Sequence, residues 1–289
     1  MQTKLLYIIY THNRPNVLKH CLSTLFDNNN LKPDRILIID DGSEINIKNA
    51  LHDFSIKNSI KIPCDYLSFS PNLGYGTVAE FGFRIADIYN PEYVFFIESD
   101  YIFRAEGLDE VMEVFENTDY GKNAIGFSGY DNPDFYIESK TKQTYPQIII
   151  EDCGEDNLNR NIMYKPFPIT LKNGKQINLE LVTNSCGTMY FNWKIWRKIK
   201  SDFPNEIEWW INHSTDKHKE KRLLNDGCMS HGISWLWTKW AIKNNIDINK
   251  YAGLLNIKPS VSDHINGGGI NGYIVNEGQT FVSSPSFKL

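Results

Sequence analysis

The sequence predicts an α/β fold, a mainly parallel sheet flanked by helices. Apolar runs without polar alternation recur at residues 5–10, 35–39 and 93–97, the pattern of strands buried on both faces. Helical spacing of apolar residues fills the stretches between them, as βαβ crossovers require. Each run also stops abruptly at a polar cluster, and in parallel sheets ligands bind outside the carboxyl ends of the strands.

Taken in order, residues 5–10 (LLYIIY) form the first strand, and Thr11-His12-Asn13-Arg14-Pro15 the loop behind it. Asn13 suits a helix cap and Pro15 a first helical turn, with Leu18, Cys21, Leu22 and Leu25 on one face of the helix that follows. Residues 35–39 form the second strand, closed by Asp40-Asp41-Gly42-Ser43, where the glycine permits a tight turn. A third, weaker strand at 61–69 leads into the glycine-rich Asn72-Leu73-Gly74-Tyr75-Gly76. The next helix has Val78, Phe81, Ile85 and Ile88 as its expected apolar face. Residues 93–97 form the fourth strand and end in Glu98-Ser99-Asp100. Two carboxylates at a strand end suit a hard divalent cation, Mg2+ or Mn2+, that also bridges phosphates; a polar loop capping a strand explains the same tripeptide. Gathered by one topology, these four clusters would share one edge of the sheet.

Beyond the fourth strand, Leu108, Val111, Met112 and Phe115 predict a helix at 106–117, and 124–128 reads as a short strand. Periodicity fades over 129–181, where Asn173-Gly174 between two strand-like runs predicts a β-hairpin inside an insertion. Ile233, Leu236, Trp237 and Trp240 share a face of a late helix opened by residues 224–227.

The chain has 289 residues, 41% hydrophobic, and a formal net charge of -5. It can bury a large core, and its charge gives no overall footprint for a nucleic-acid backbone. Five cysteines without CxxC spacing suggest neither a disulfide framework nor a zinc site. The apolar run after Lys4 is too short for a signal-peptide core and no run reaches the length of a membrane span, so the expectation is a cytoplasmic protein.

Thr11-His12-Asn13-Arg14, the IIDDGS ending of the second strand, NLGYG with Gly82 beyond it, and FFIESD together resemble the nucleotide-sugar half of GT-A glycosyltransferases, family 2 above all. The resemblance covers roughly the first hundred residues. It implies that Thr11, Asn13 and Arg14 lie near the nucleotide, that Asp40 or Asp41 contacts base or ribose, and that Asn72 and Gly74 line the donor. It also places Glu98 and Asp100 at the acidic cluster, usually Asp-x-Asp, that holds the metal on the diphosphate. Glu98 stands where Asp is usual, which favours Asp100 as the direct ligand, with Ser99 between them. Ser185-Cys186-Gly187-Thr188 is similar to the family's glycine-led strand, where Gly187 lets the donor sugar approach the backbone. Asp226 is the implied catalytic base, with Glu208 and Asp216 in reserve. His264, followed by Gly267 to Gly269, resembles a late segment in which a histidine joins the metal shell; imidazole is an acceptable Mn2+ ligand.

The implied protein is one GT-A domain with a nucleotide-sugar half at 1–104, an acceptor-side half at 105–289, an insertion near 129–181 and a C-terminal lid near 258–289. Its implied activity moves a sugar with inversion from a nucleotide-sugar donor, a UDP-sugar, to a free hydroxyl on a glycan, protein or modified nucleobase, using Mn2+ or Mg2+. Two alternatives stand beside it: a nucleotidyltransferase, which would want a glycine-rich loop after the first strand, and a nucleotide-sugar-binding protein that has lost the chemistry.

Overall fold

The computed structural model describes residues 3–44, 46–57, 61–129, 166–182, 188–208, 229–248 and 250–264. The chain divides into two compact units, one of residues up to Asp109 together with those from Ser262 onward, the other running from Glu110 to Val261. The second unit is thus inserted, in sequence, between two pieces of the first.

The first unit alternates β1 (Leu5–Thr11), α1 (Pro15–Asp27), β2 (Arg35–Asp40), α2 (Ile47–Lys57), β3 (Cys64–Ser68), α3 (Tyr75–Tyr89) and β4 (Tyr93–Glu98). Its strands lie in the order β3-β2-β1-β4, all paired in parallel, as the sequence predicts. β1 is buried along its whole length, whereas β3 is an edge strand with part of its surface in solvent. That exposure explains its weaker apolar run. A three-residue strand, β5 (Tyr101–Phe103), follows β4 after a two-residue turn. It is fixed to α1 by the Phe103 N–H donating to Thr24 Oγ1 (3.1 Å) and by Asn28 Nδ2 donating to the Phe103 carbonyl (2.6 Å).

Two local expectations are corrected. The residue capping α1 is Arg14, with no side-chain cap bond; Asn13 adopts φ 52 instead, a left-handed conformation that asparagine tolerates. The buried face of α3 is Val78, Ala79, Phe83 and Ala86, while Ile88 is exposed and Phe81 lies partly in solvent with its ring against Phe69. Gly82 sets this rotation: a Cβ there would collide with the Tyr10 hydroxyl and come within 3.3 Å of Phe96, so the helix lies close on the sheet by that side.

The second unit opens within α4 (Gly107–Asn117), whose Leu108, Val111, Met112 and Phe115 are buried as expected. A short helix α5 (Asp119–Asn123) precedes β6 (Gly126–Ser128). Next come β7 (Phe167–Thr170), β8 (Gln176–Val182), β9 (Met189–Asn192), α6 (Trp193–Asp202), α7 (Met229–Lys243) and β10 (Leu254–Lys258). The strand order is β9-β6-β10-β8-β7, parallel only between β6 and β10. The expected hairpin is β7–β8, and its second strand also pairs with β10, which makes it part of the unit's sheet. Ile233, Leu236, Trp237 and Trp240 of α7 are buried. After β10, β11 (Ser262–His264) belongs to the first unit and pairs antiparallel with β5.

Candidate active site

The four polar loops behind β1, β2, β3 and β4 meet at the carboxyl edge of the parallel sheet, linked by hydrogen bonds between loops. Thr11 ends β1, and its carbonyl accepts from the Asp41 N–H (3.0 Å), which continues the ladder into the second loop. The left-handed turn at Asn13 lets its N–H donate to Ser43 Oγ (2.7 Å) and its Oδ1 accept from the Glu44 N–H (2.7 Å). The first two loops are therefore clasped by one asparagine.

The adjacent acids have different surroundings. Asp40 is buried; Oδ1 accepts from the Ser43 N–H and hydroxyl, and Oδ2 from the hydroxyls of Tyr66 and Ser68. Burial first, then the bond to Asp40, push the Tyr66 hydroxyl up to about 12. Asp41 uses one oxygen, accepting from the Leu73 N–H at 2.7 Å, and its carbonyl accepts from Asn72 Nδ2. Among the described residues its second oxygen has no protein partner. Asn72 Nδ2 also lies 3.3 Å from His12 Nδ1, so the first and third loops touch. The close approach of the second and third loops depends on Gly42, at φ 70: a Cβ there would lie 2.6 Å from the Asn72 nitrogen and 2.9 Å from its Cα. Gly42→Ala is therefore expected to lower stability by about 2 kcal/mol, through the left-handed backbone and the collision together; thermal unfolding of the variant against the parent measures it. Gly74, at φ 84, is the capping residue before α3.

The fourth loop is equally constrained. The Ser99 N–H donates to the Tyr10 carbonyl (3.0 Å), which fixes the turn between Glu98 and Asp100. Ser99 is buried and Glu98 half-buried. Asp100 Oδ2 lies 2.9 Å from Arg14 Nη1, with 18% of the aspartate side chain and 27% of the arginine side chain exposed. Strand pairing sets His264 opposite Tyr101, the residue after Asp100. The sequence separates these positions widely, and the β5–β11 register brings their backbones together.

Of the remaining expected residues, Glu208 is exposed at the end of a helical segment at 204–208. Gly187, Asp216 and Asp226 lie outside the described residues. Ser43, Tyr66 and His12 were not singled out by the sequence as site residues. Tyr66 had one available signal, its position two residues before Ser68, which pairs with Asp40, but reading it requires the strand register.

For the metal, the donor types fit: Glu98 and Asp100 supply oxygen at a strand end, and β11 carries a histidine to the neighbouring strand. Among the described residues no cluster of three His, Cys, Asp or Glu side chains forms a metal site. No helix among them is long and apolar enough to cross a membrane.

A parallel sheet with an interlocked polar edge defines an α/β protein built to hold a ligand at its strand ends. The chain belongs to glycosyl transferase family 2, whose model matches residues 7–196. No curated protein matches it by sequence. Solved structures similar to it include the mannosyltransferase PcManGT from Pyrobaculum calidifontis in complex with GDP-Man and Mn2+ (TM-score 0.43, 10% identity, 70% of this chain and 47% of that one). S. aureus TarS 1-349 in complex with UDP is another (0.42, 13%, 73% and 54%). A third is the glucosyl-3-phosphoglycerate synthase of Mycobacterium tuberculosis in complex with Mn2+, UDP and phosphoglyceric acid (0.40, 9%, 67% and 57%). The chain spans about half the length of these structures.

Proposed function

We propose that this protein is a metal-dependent glycosyltransferase that moves a sugar from a UDP-sugar to an acceptor hydroxyl with inversion. The observation that carries the reading is the linkage of four strand-end loops into one polar edge, together with family membership over residues 7–196. Asp41 supports the role of base or ribose contact better than Asp40 does. The Asp41 oxygen that has no partner among the described residues can accept from a ligand N–H or O–H, whereas Asp40 is consumed by Ser43, Tyr66 and Ser68 and holds the second loop in shape. Thr11, Asn13 and Asn72 then frame the nucleotide, with Gly74 and Gly187 giving backbone room beside the donor. Glu98, Asp100 and His264 are the proposed holders of Mn2+ or Mg2+. When bound, that cation supplies charge stabilisation to the departing nucleoside diphosphate.

The acceptor hydroxyl must lose a proton as it attacks the anomeric carbon, and a carboxylate takes it. Asp226 is the proposed base and Glu208 the reserve. Asp226→Asn is expected to lower turnover about a thousandfold while leaving UDP affinity nearly intact, because proton removal is needed only in the transition state. The same loss in Glu208→Gln, with none in Asp226→Asn, would transfer the role to Glu208. The function itself is tested by incubating the protein with a panel of UDP- and GDP-sugars and Mn2+ and measuring released nucleoside diphosphate. Tight UDP binding without hydrolysis or transfer of any donor would instead favour a binding protein.

A further inference from the structure

Arg14 is the residue immediately before α1, and its side chain reaches Asp100 across the first and fourth loops, Nη1 to Oδ2 at 2.9 Å. A cation beside a helix N-terminus faces the positive end of the helix dipole, so the position is favourable only while an anion faces it. Here that anion is Asp100. Its carboxylate is also the one offered to a divalent cation under the function proposed above, on which this inference rests. The guanidinium is on Oδ2, so a divalent cation brought to the same carboxylate would meet a positive charge a few ångströms away, and the two like charges repel.

We propose that Arg14 is a placeholder cation: it neutralises Asp100 before the metal arrives, gives way when the metal binds, and then pairs with the diphosphate of the donor. Three features allow the exchange. The main chain beside Arg14 is held, because the Asn13 N–H is bonded to Ser43 and the Asn13 side chain to Glu44, so the guanidinium can move without disturbing the loop. The pair keeps contact with solvent on both sides, which lowers the cost of breaking it. A guanidinium matches phosphate oxygens with two parallel hydrogen bonds, as it does a carboxylate. Arg14 thus acts as a positioning residue for the metal and a binding residue for the donor, and it couples the two in that order.

The test is a titration of Mn2+ alone into the full chain without nucleotide, followed by UDP at saturating Mn2+. It compares the parent, Arg14→Ala, Arg14→Gln, Arg14→Lys and Asp100→Ala, all checked to be folded at the titration temperature. Arg14→Ala and Arg14→Gln are expected to bind Mn2+ about fivefold more tightly, since a competing cation is gone, and UDP about tenfold more weakly. Arg14→Lys should fall between them and the parent in both titrations. An arginine that only braced the two loops would leave Mn2+ affinity unchanged or weakened when removed. Mn2+ affinity unchanged or weakened in both neutral variants, with Asp100→Ala still losing the metal, overturns the placeholder and leaves the proposed function standing. Mn2+ affinity unchanged in Asp100→Ala overturns the metal role of Asp100 and the inference with it.

Discussion

Asp100→Ala is expected to lower sugar transfer about a thousandfold and to abolish the dependence of UDP binding on Mn2+. The buried Tyr-Val-Phe-Phe-Ile run of β4 delivers the acids to the sheet edge, where the Ser99–Tyr10 hydrogen bond fixes the turn. A carboxylate held there can contribute negative charge to a cation that would otherwise meet the diphosphate alone. Asp100→Asn keeps the shape and removes the charge, so it should lose nearly as much. The accompanying loss of the Arg14 ion pair costs about 1 kcal/mol of stability or less, because both partners are partly solvated, and the variant should remain folded. Calorimetric titration of UDP with and without Mn2+ is the direct measurement. An Asp100→Ala protein that retains both transfer and the Mn2+ effect would remove the fourth loop from the site.

Trp237→Ala should cost about 3–5 kcal/mol, the largest effect expected on stability. Trp237 is wholly buried in α7, and its Nε1–H donates to the Asn123 carbonyl at 2.7 Å. Its Cγ would lie 2.9 Å from a Cβ added at Gly253, so the indole packs on bare backbone where the chain enters β10. Removing it leaves a cavity and an unpaired carbonyl in the second unit. Trp237→Phe, which fills most of the space and loses the hydrogen bond, is expected to cost about half as much. Urea unfolding of the three proteins provides the comparison; a loss under 1 kcal/mol in Trp237→Ala would show that α7 contributes little to holding its unit together.

The sequence was most legible where burial is complete on both faces. β1, β2 and β4 are apolar without interruption, and α4 shows its buried stripe directly. Legibility failed where a small residue decides packing. The period of α3 was readable, but Gly82 against Tyr10 turns a different side to the sheet, and Phe81 and Ile88 therefore look like core residues without being so. Helix α2 is faint in the sequence: Ile47, Leu51 and Phe54 recur at helical spacing, but the polar residues between them dominate the stretch. At the site, the loops could be listed from strand endings, whereas their partnerships could not. Arg14 with Asp100 and Asp40 with Tyr66 bridge 86 and 26 residues, and both depend on strand order and register. The same holds for His264, whose neighbourhood to Asp100 exists only through β11.

That late strand also sets an order of assembly. Ser262–His264 pair with β5 but leave the ribosome after every residue of the second unit, which lies between them in the chain. During synthesis the four parallel strands are available from the time β4 emerges, and the pairings among β6 to β10 can be completed once β10 has followed. Among the described elements the ribbon beside Asp100 forms last, so the nascent chain carries its four strand-end loops well before it carries the β5–β11 pairing.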